Sequence, residues 1–227
     1  MNFWRQLKKP FFVLAPMADV TDIVFRHFVL GHSRPDVVYT EFVACKALLS
    51  PQGRGPFIHH LKYSEQERPI VAQVFGSEPD DFFAGARRIR ALGFDGLDIN
   101  MGCPDRRVEK QGAGACLIRD PQRAQAIIQA AKAGLAGLPL TVKTRLGYYT
   151  IETVPWIGAV LAAKPDVLVV HGRTRQEMSK TPAHWDEIAL AASMAHDAGV
   201  LCVGNGDVGS REQGEEYAQR FGVDGVM

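Results

Sequence analysis

The sequence lacks three features that would assign it to a specialised class of protein. No apolar run approaches the roughly 20 residues that a helix needs to cross a bilayer, so we expect no membrane-spanning segment. The four cysteines show neither C-x-x-C spacing nor the density of a disulfide scaffold, which indicates a reducing compartment and hence the cytoplasm. Charge of one sign is not in excess, because 26 Lys and Arg face 25 Asp and Glu. A nucleic acid would therefore need a local basic patch.

Linkers, low-complexity segments and charge blocks are also missing. We therefore expect one domain over residues 1–227, which we take to be a monomer without a bound metal. Apart from the GNGDVG run at residues 204–209, the sequence also has no separate G-x-G-x-x-G dinucleotide fingerprint.

Seven short apolar runs each end at a polar or reactive residue. The runs are VLAPM, VVYTE, IVAQVFG, LDINMGCP, LTVK, VLVVHGR and LCVGNGD. The stretches between them, such as 79–92 and 121–136, are long enough for crossover helices, whereas the segment 34–67 is expected to include an irregular excursion. This alternation predicts a TIM (β/α)8 barrel, in which strand ends build the active site. An eighth run, 223–227, begins as the sequence stops.

The richest segment is DINMGCPDRRVEKQGAGA, residues 98–115. A lone cysteine is usually a small buried hydrophobe. Cys103, however, lies between Gly102 and Pro104 at a strand end, which favours a general acid or a nucleophile at the barrel mouth.

Three further strand ends carry candidates. An inward Lys143 after LTV needs an anion or an electron-rich ring beside it, because an unpaired buried ammonium is costly; otherwise its chain reaches solvent. His171 is either a satisfied core histidine or a ligand contact, and the following Arg173 and Arg175 favour the latter. The GNGD turn, 204–207, is weak evidence alone but has the position of a barrel phosphate loop.

These blocks together resemble the tRNA-dihydrouridine synthases, which are FMN-dependent barrel reductases. The matching segments are LAPMADVTD, VAQVFGSEP, DINMGCPDRRVEKQGAGACLIRDP, TVKTRLGY, HGRTR and GNGDV, in family order over almost the whole chain. The resemblance implies NADPH as the hydride source and reduction of uridine to 5,6-dihydrouridine in tRNA.

The resemblance also implies roles for single residues. Cys103 would protonate C5 of the uracil, while Asn100, Arg145 and Arg173 would contact the substrate. The residues implied to bind FMN are Pro16, Met17, Ala18, Gln73, Lys143, His171, Asn205, Gly206 and Asp207. The candidate phosphate contacts for a flipped-out nucleotide are Arg106, Arg107, Lys110, Arg145 and Arg175.

Family members continue past the eighth strand with a Gly-Arg phosphate contact and a C-terminal helical domain. We therefore expect a barrel truncated at about the eighth strand, with FMN retention and tRNA affinity open. Two alternatives remain: an FMN barrel acting on a free pyrimidine, as dihydroorotate dehydrogenases do, and a non-catalytic RNA-binding barrel. The loop after Cys103 and the HGRTR run argue against the first, and only the missing C-terminal part supports the second.

Overall fold

The computed structural model describes residues 2–49 and 58–227. Its eight parallel strands form a closed barrel in which each strand pairs with the next and the last pairs with the first. The strands are β1 (Phe11–Leu14), β2 (Val37–Ala44), β3 (Ile70–Phe75), β4 (Gly96–Met101), β5 (Leu140–Arg145), β6 (Val167–His171), β7 (Leu201–Asn205) and β8 (Gly225–Val226). The predicted (β/α)8 barrel is confirmed.

Helices separate the strands along the chain, and they include the two whose positions the sequence predicts. The helices are α1 (Ile23–His32), α2 (Cys45–Leu49), α3 (Pro79–Ala91), α4 (Arg106–Glu109), α5 (Pro121–Leu135), α6 (Thr153–Ala162), α7 (Trp185–Asp197) and α8 (Arg211–Phe221). Short 3₁₀ helices span Phe3–Gln6, Ile58–Leu61, Glu65–Glu67 and Gly114–Arg119. The two long predicted helices match α3 and α5 within one residue, because Pro at the first turn fixes each start.

The predicted irregular excursion falls between α1 and β3. Its described part contains β2, α2 and two of the 3₁₀ helices, while residues 50–57 lie outside the described residues. The predicted eighth run contains β8, which is only two residues long. Phe11 pairs with Gly225 on one side of β8, and Val203 pairs with Gly225 on the other. The ring of strands is therefore complete.

Alternate residues along the strands divide the apolar side chains into two cores. On β6, Leu168 and Val170 belong to the larger core between strands and helices, whereas Val167 and Val169 belong to a smaller one. We call the smaller core the barrel floor; its members are Trp4, Phe11, Val13, Val37, Tyr39, Val71, Val167, Val169, Leu201 and Val203. Because side chains alternate along a strand, the polar side chains two or four residues away from a floor residue on the same strand also point into the barrel.

Candidate active site

A cavity of about 170 Å³ is built mainly from side chains at the carboxyl ends of the strands. It is lined by Pro16, Phe42, Gln73, Asn100, Gly102, Cys103, Pro104, Lys143, Arg145 and His171. Seven residues singled out in the sequence therefore share one cavity: Pro16, Gln73, Asn100, Cys103, Lys143, Arg145 and His171. We call the cavity and these lining residues the barrel mouth.

Cys103 lies two residues after the end of β4 and is partly buried. Its backbone N–H donates to Asn100 Oδ1 at 2.9 Å. Gly114 returns close to the same backbone, since a Cβ there would lie 2.7 Å from the Cys103 carbonyl oxygen. Burial raises the pKa of the Cys103 thiol above its ordinary value. The thiol is therefore protonated at neutral pH and can donate a proton.

Lys143 projects from β5 into the same cavity. Its Nζ donates to Asn205 Oδ1 at 2.9 Å, and Asn205 Nδ2 in turn donates to the Met227 carbonyl. No carboxylate of the described residues forms an ion pair with this ammonium. Burial, and next the charge of Arg145, lower the pKa of Lys143 to about 8. Lys143 remains mostly cationic at neutral pH, with two N–H donors beyond its Asn205 contact for an electron-rich ligand.

His171 lies at the end of β6 and is fixed as a neutral imidazole. The Arg173 Nη1 atom lies 3.1 Å from His171 Nε2. Arginine can only donate, so Nε2 accepts and the ring proton resides on Nδ1. Burial, followed by the charge of Lys143, lowers the pKa of His171 to about 2. Protonation of His171 is unfavourable because it would add a positive charge beside those of Lys143, Arg145 and Arg173.

Arg173 and Asp207 form a separate pair beside the cavity. Arg173 Nη2 contacts both carboxylate oxygens of Asp207, at 2.6 and 2.7 Å, and Arg173 Nε donates to the Thr181 carbonyl. The guanidinium is therefore engaged within the protein, and Arg173 is not among the residues lining the cavity. Gly206 has a φ of 127°, which only glycine adopts readily. The predicted nucleobase contact of Arg173 and the cofactor contacts of the 205–207 turn stay predictions.

The other predicted residues surround the mouth. Met17 and Ala18 lie in the loop after β1, where Met17 N–H donates to Thr21 Oγ1. Arg145 lines the cavity and donates to three carbonyl groups, those of Gly102, Thr174 and Met178. Arg145 thus ties the Cys103 loop to the loop after β6.

The candidate phosphate contacts differ in their availability. Arg106 is exposed, whereas Arg107 pairs with Asp105 at 3.2 Å. Lys110, at the end of α4, is also exposed. Arg175 Nε donates to Glu109 Oε1 at 2.9 Å and is partly buried. The exposed cations of the loop after β4 are therefore better placed for a polyanion than Arg175 is.

Sequence reasoning assigned no role to Asp98, which is fully buried beneath the cavity. Thr141 Oγ1 donates to its Oδ1, and Gln73 Nε2 donates to its Oδ2 at 2.8 Å. Burial raises the pKa of Asp98 to about 7. The signal available in the sequence is the period-2 spacing of Asp98 and Asn100, which puts both on the same face of β4.

Comparison with known proteins shows which family this chain belongs to. The model of the dihydrouridine synthase (Dus) family matches residues 13–227. The chain belongs to the dihydrouridine synthase family. A probable tRNA-dihydrouridine synthase of Staphylococcus aureus (strain COL) is 46% identical over 229 residues, covering 100% of this chain and 69% of that protein. The probable tRNA-dihydrouridine synthase 2 of Bacillus subtilis (strain 168) is also 46% identical, with 70% of it covered.

A solved structure shares the fold of this dihydrouridine synthase family member at low sequence identity. Histamine dehydrogenase from Rhizobium sp. 4-9 superposes with a TM-score of 0.63 at 12% identity, covering 94% of this chain and 43% of that one. Within residues 2–49 and 58–227, no cluster of three or more His, Cys, Asp or Glu side chains is suited to a metal ion. None of the helices in those ranges is long and apolar enough to cross a membrane.

Proposed function

We propose that this dihydrouridine synthase reduces uridine to 5,6-dihydrouridine in tRNA, with FMN as cofactor and NADPH as reductant. The observation that carries the proposal is that Cys103 and Lys143 line one cavity. A thiol supplies a proton, and an ammonium stabilises negative charge, which are the two needs of a reduction at an electron-poor double bond.

The donors at the mouth fit a flavin. The Lys143 ammonium has donor capacity beyond its contact with Asn205. A flavin presents carbonyl oxygens along its pyrimidine edge and gains negative charge on reduction, which suits this ammonium. Pro16, Met17, Ala18, Gln73 and His171 would complete the ring contacts, and Asn205, Gly206 and Asp207 would hold the ribityl phosphate side.

The chemistry that bound FMN supplies is hydride transfer to C6 of the uracil ring after reduction by NADPH. Cys103 donates its proton to C5, so the C5–C6 double bond takes up one hydride and one proton. Arg145 lies beside Cys103 and lowers the energy of the thiolate that remains, which then takes a proton from solvent. Asn100, Arg145 and Arg173 would orient the base.

The substrate must reach the mouth as a flipped-out nucleotide, because a uracil inside an RNA stack cannot enter a barrel. The exposed Arg106 and Lys110, together with Arg107, lie on the loop that follows Cys103 and would contact backbone phosphates. The four free cysteines suit the cytoplasm, where tRNA is found.

Replacement of Cys103 tests the acid assignment. We expect Cys103→Ala to lower dihydrouridine formation by roughly 10²- to 10⁴-fold, the usual contribution of a general acid, while flavin absorbance of the purified protein is unchanged. The measurement is mass spectrometry of nucleosides from tRNA incubated with FMN and NADPH. Cys116→Ala, at another partly buried cysteine outside the cavity, is the matched control.

Each outcome has a defined meaning. Unchanged turnover in Cys103→Ala would remove Cys103 as the acid. Turnover of free orotate or uracil without any change in tRNA would replace the proposed substrate with a free pyrimidine.

A further inference from the structure

We propose that Asp98 is a positioning residue that fixes the side-chain amides of Gln73 and Asn100 and, through them, the backbone that carries Cys103. The catalytic meaning of this inference rests on the proposed function. Its structural content does not, because the Asp98 effect is measurable without cofactor or tRNA. Asp98 does not line the cavity and lies below it, so it acts only through other residues.

A continuous path of hydrogen bonds joins Asp98 to Cys103. Gln73 Nε2 donates to Asp98 Oδ2 at 2.8 Å, and Asn100 Nδ2 donates to Gln73 Oε1 at 3.2 Å. Asn100 Oδ1 then accepts from the backbone N–H groups of Gly102 at 3.1 Å and of Cys103 at 2.9 Å. The strand register supports this path, because Gln73 on β3 is paired with Asp98 on β4.

The chemistry of the two ends gives this path a single direction. Both oxygens of Asp98 accept hydrogen bonds, from Gln73 Nε2 and from Thr141 Oγ1, and the backbone N–H groups at residues 102 and 103 can only donate. A side-chain amide has one accepting and one donating end. Gln73 must therefore turn its NH₂ group to Asp98, and Asn100 must turn its oxygen to the Cys103 loop. If either amide were reversed, a donor would face a donor or an acceptor would face an acceptor, and a hydrogen bond would be lost.

The cost of such a mismatch is high at this place. Asp98, Gln73 and Asn100 are all buried, and a buried polar group without a partner costs about 1–3 kcal/mol. The second oxygen of Asp98 is already occupied by Thr141 Oγ1, which also lies next to the Tyr39 hydroxyl at 3.2 Å. Each oxygen of Asp98 thus has its own partner, and Gln73 has no second Asp98 oxygen to which it could turn.

The orientation also sets what the cavity offers to a ligand. With its oxygen turned to the Cys103 loop, Asn100 has an N–H left to donate. Asp98 thereby selects a donor at this position of the barrel mouth, next to the Lys143 ammonium. A ligand carbonyl fits such a pair, and a ligand amine does not.

Asp98→Leu is the decisive variant, because it keeps the branched shape of the side chain and removes both accepting oxygens. The NH₂ group of Gln73 then loses the acceptor that fixes its orientation. Asn100, and through it the Gly102 and Cys103 N–H groups, are held less firmly as a result. We expect amide exchange at Cys103 to become roughly three- to tenfold faster.

The readout is NMR of the chain labelled with ¹⁵N-cysteine, which yields amide signals from Cys45, Cys103, Cys116 and Cys202 only. Cys45 and Cys202 lie in the core between strands and helices and report on general loosening. Thr141→Val is the matched control: it removes the partner of Asp98 Oδ1 and leaves the path from Oδ2 intact. Its Cys103 signal should stay in place.

The double variant Asp98→Asn with Gln73→Glu keeps a hydrogen bond at every step of the path. The introduced amide at position 98 donates to the introduced carboxylate at position 73, and that carboxylate accepts from Asn100. We expect the Cys103 shift and exchange rate of the double variant to stay at their original values, unlike those of Asp98→Leu.

The proposal is overturned if Cys103 is unmoved in Asp98→Leu, or if all four signals move alike. It is also overturned if the double variant fails to fold or leaves Cys103 displaced. If the unmutated protein makes no dihydrouridine although the variants change the Cys103 signal as expected, the proposed function is wrong and the positioning role of Asp98 stands.

Discussion

The barrel floor and the barrel mouth share the same eight strands but use opposite chemistry. The floor is a closed apolar cluster in which Trp4 packs near Phe11 and Tyr39, with ring centroids 5.6 and 6.5 Å away. The mouth contains two cations, two amides, an imidazole and a thiol around a cavity. Buried apolar area stabilises the fold, whereas partly desolvated charge does not. We infer that the floor supplies stability that offsets the cost of the charged mouth.

The largest expected effect comes from the floor. Trp4→Ala should lower the free energy of unfolding by about 3–5 kcal/mol, since a fully buried indole leaves a large cavity. Flavin affinity of the folded fraction should not change, because Trp4 is not among the cavity-lining residues. Urea unfolding followed by circular dichroism, with flavin titration of the folded protein, measures both.

Trp4→Phe is the matched control for this change. The indole Nε1 has no hydrogen-bond partner within the described part of the chain, so the smaller ring loses packing but no hydrogen bond. Its loss of stability should be clearly smaller than that of Trp4→Ala. If Trp4→Ala lowers the flavin affinity of the folded protein as well as its stability, the floor and the mouth do not have separate roles.

A second prediction compares two register partners, Lys143 on β5 and Val169 on β6. Lys143→Met should weaken FMN binding roughly tenfold to a hundredfold, because hydrogen bonds to a charged group are strong, and should not lower stability. Val169→Ala should lower the free energy of unfolding by about 2 kcal/mol and leave FMN binding unchanged. Fluorescence titration and urea unfolding test the pair together; parallel changes in both variants would contradict the comparison.

The strand-end pattern predicted most of the fold and much of the mouth. Parallel strands of a barrel bring their carboxyl ends to one rim, so Gln73, Cys103, Lys143 and His171 were certain to meet once the strands were recognised. The alternation of side chains along each strand was equally readable. These are local consequences of backbone geometry.

The network under the mouth could not be predicted in the same way. The partners of Asp98 and of Arg173 depend on the register between strands and on the paths of loops, which no local pattern encodes. Arg173 illustrates the limit. The HGRTR run marks it as a polar ligand contact, yet in the structure Asp207, Thr181 and His171 engage its guanidinium.

The smallest predicted effect is the contribution of His171, in the mouth, to the pH dependence of stability. The pKa of His171 is lowered to about 2 in the folded protein, whereas in the unfolded chain it is about 6.5. The unfolded state therefore binds the proton first, and stability is lost as pH falls below 6.5. Between pH 7.5 and pH 6 this loss amounts to about 0.8 kcal/mol.

His171→Gln keeps an acceptor for Arg173 and cannot titrate, so its unfolding free energy should fall less over that interval. The other histidines are common to both proteins and cancel in the difference. Urea unfolding of the two proteins at both pH values is the measurement. Identical pH dependence would mean that His171 is protonated without cost, against the neutral imidazole assigned from its contact with Arg173.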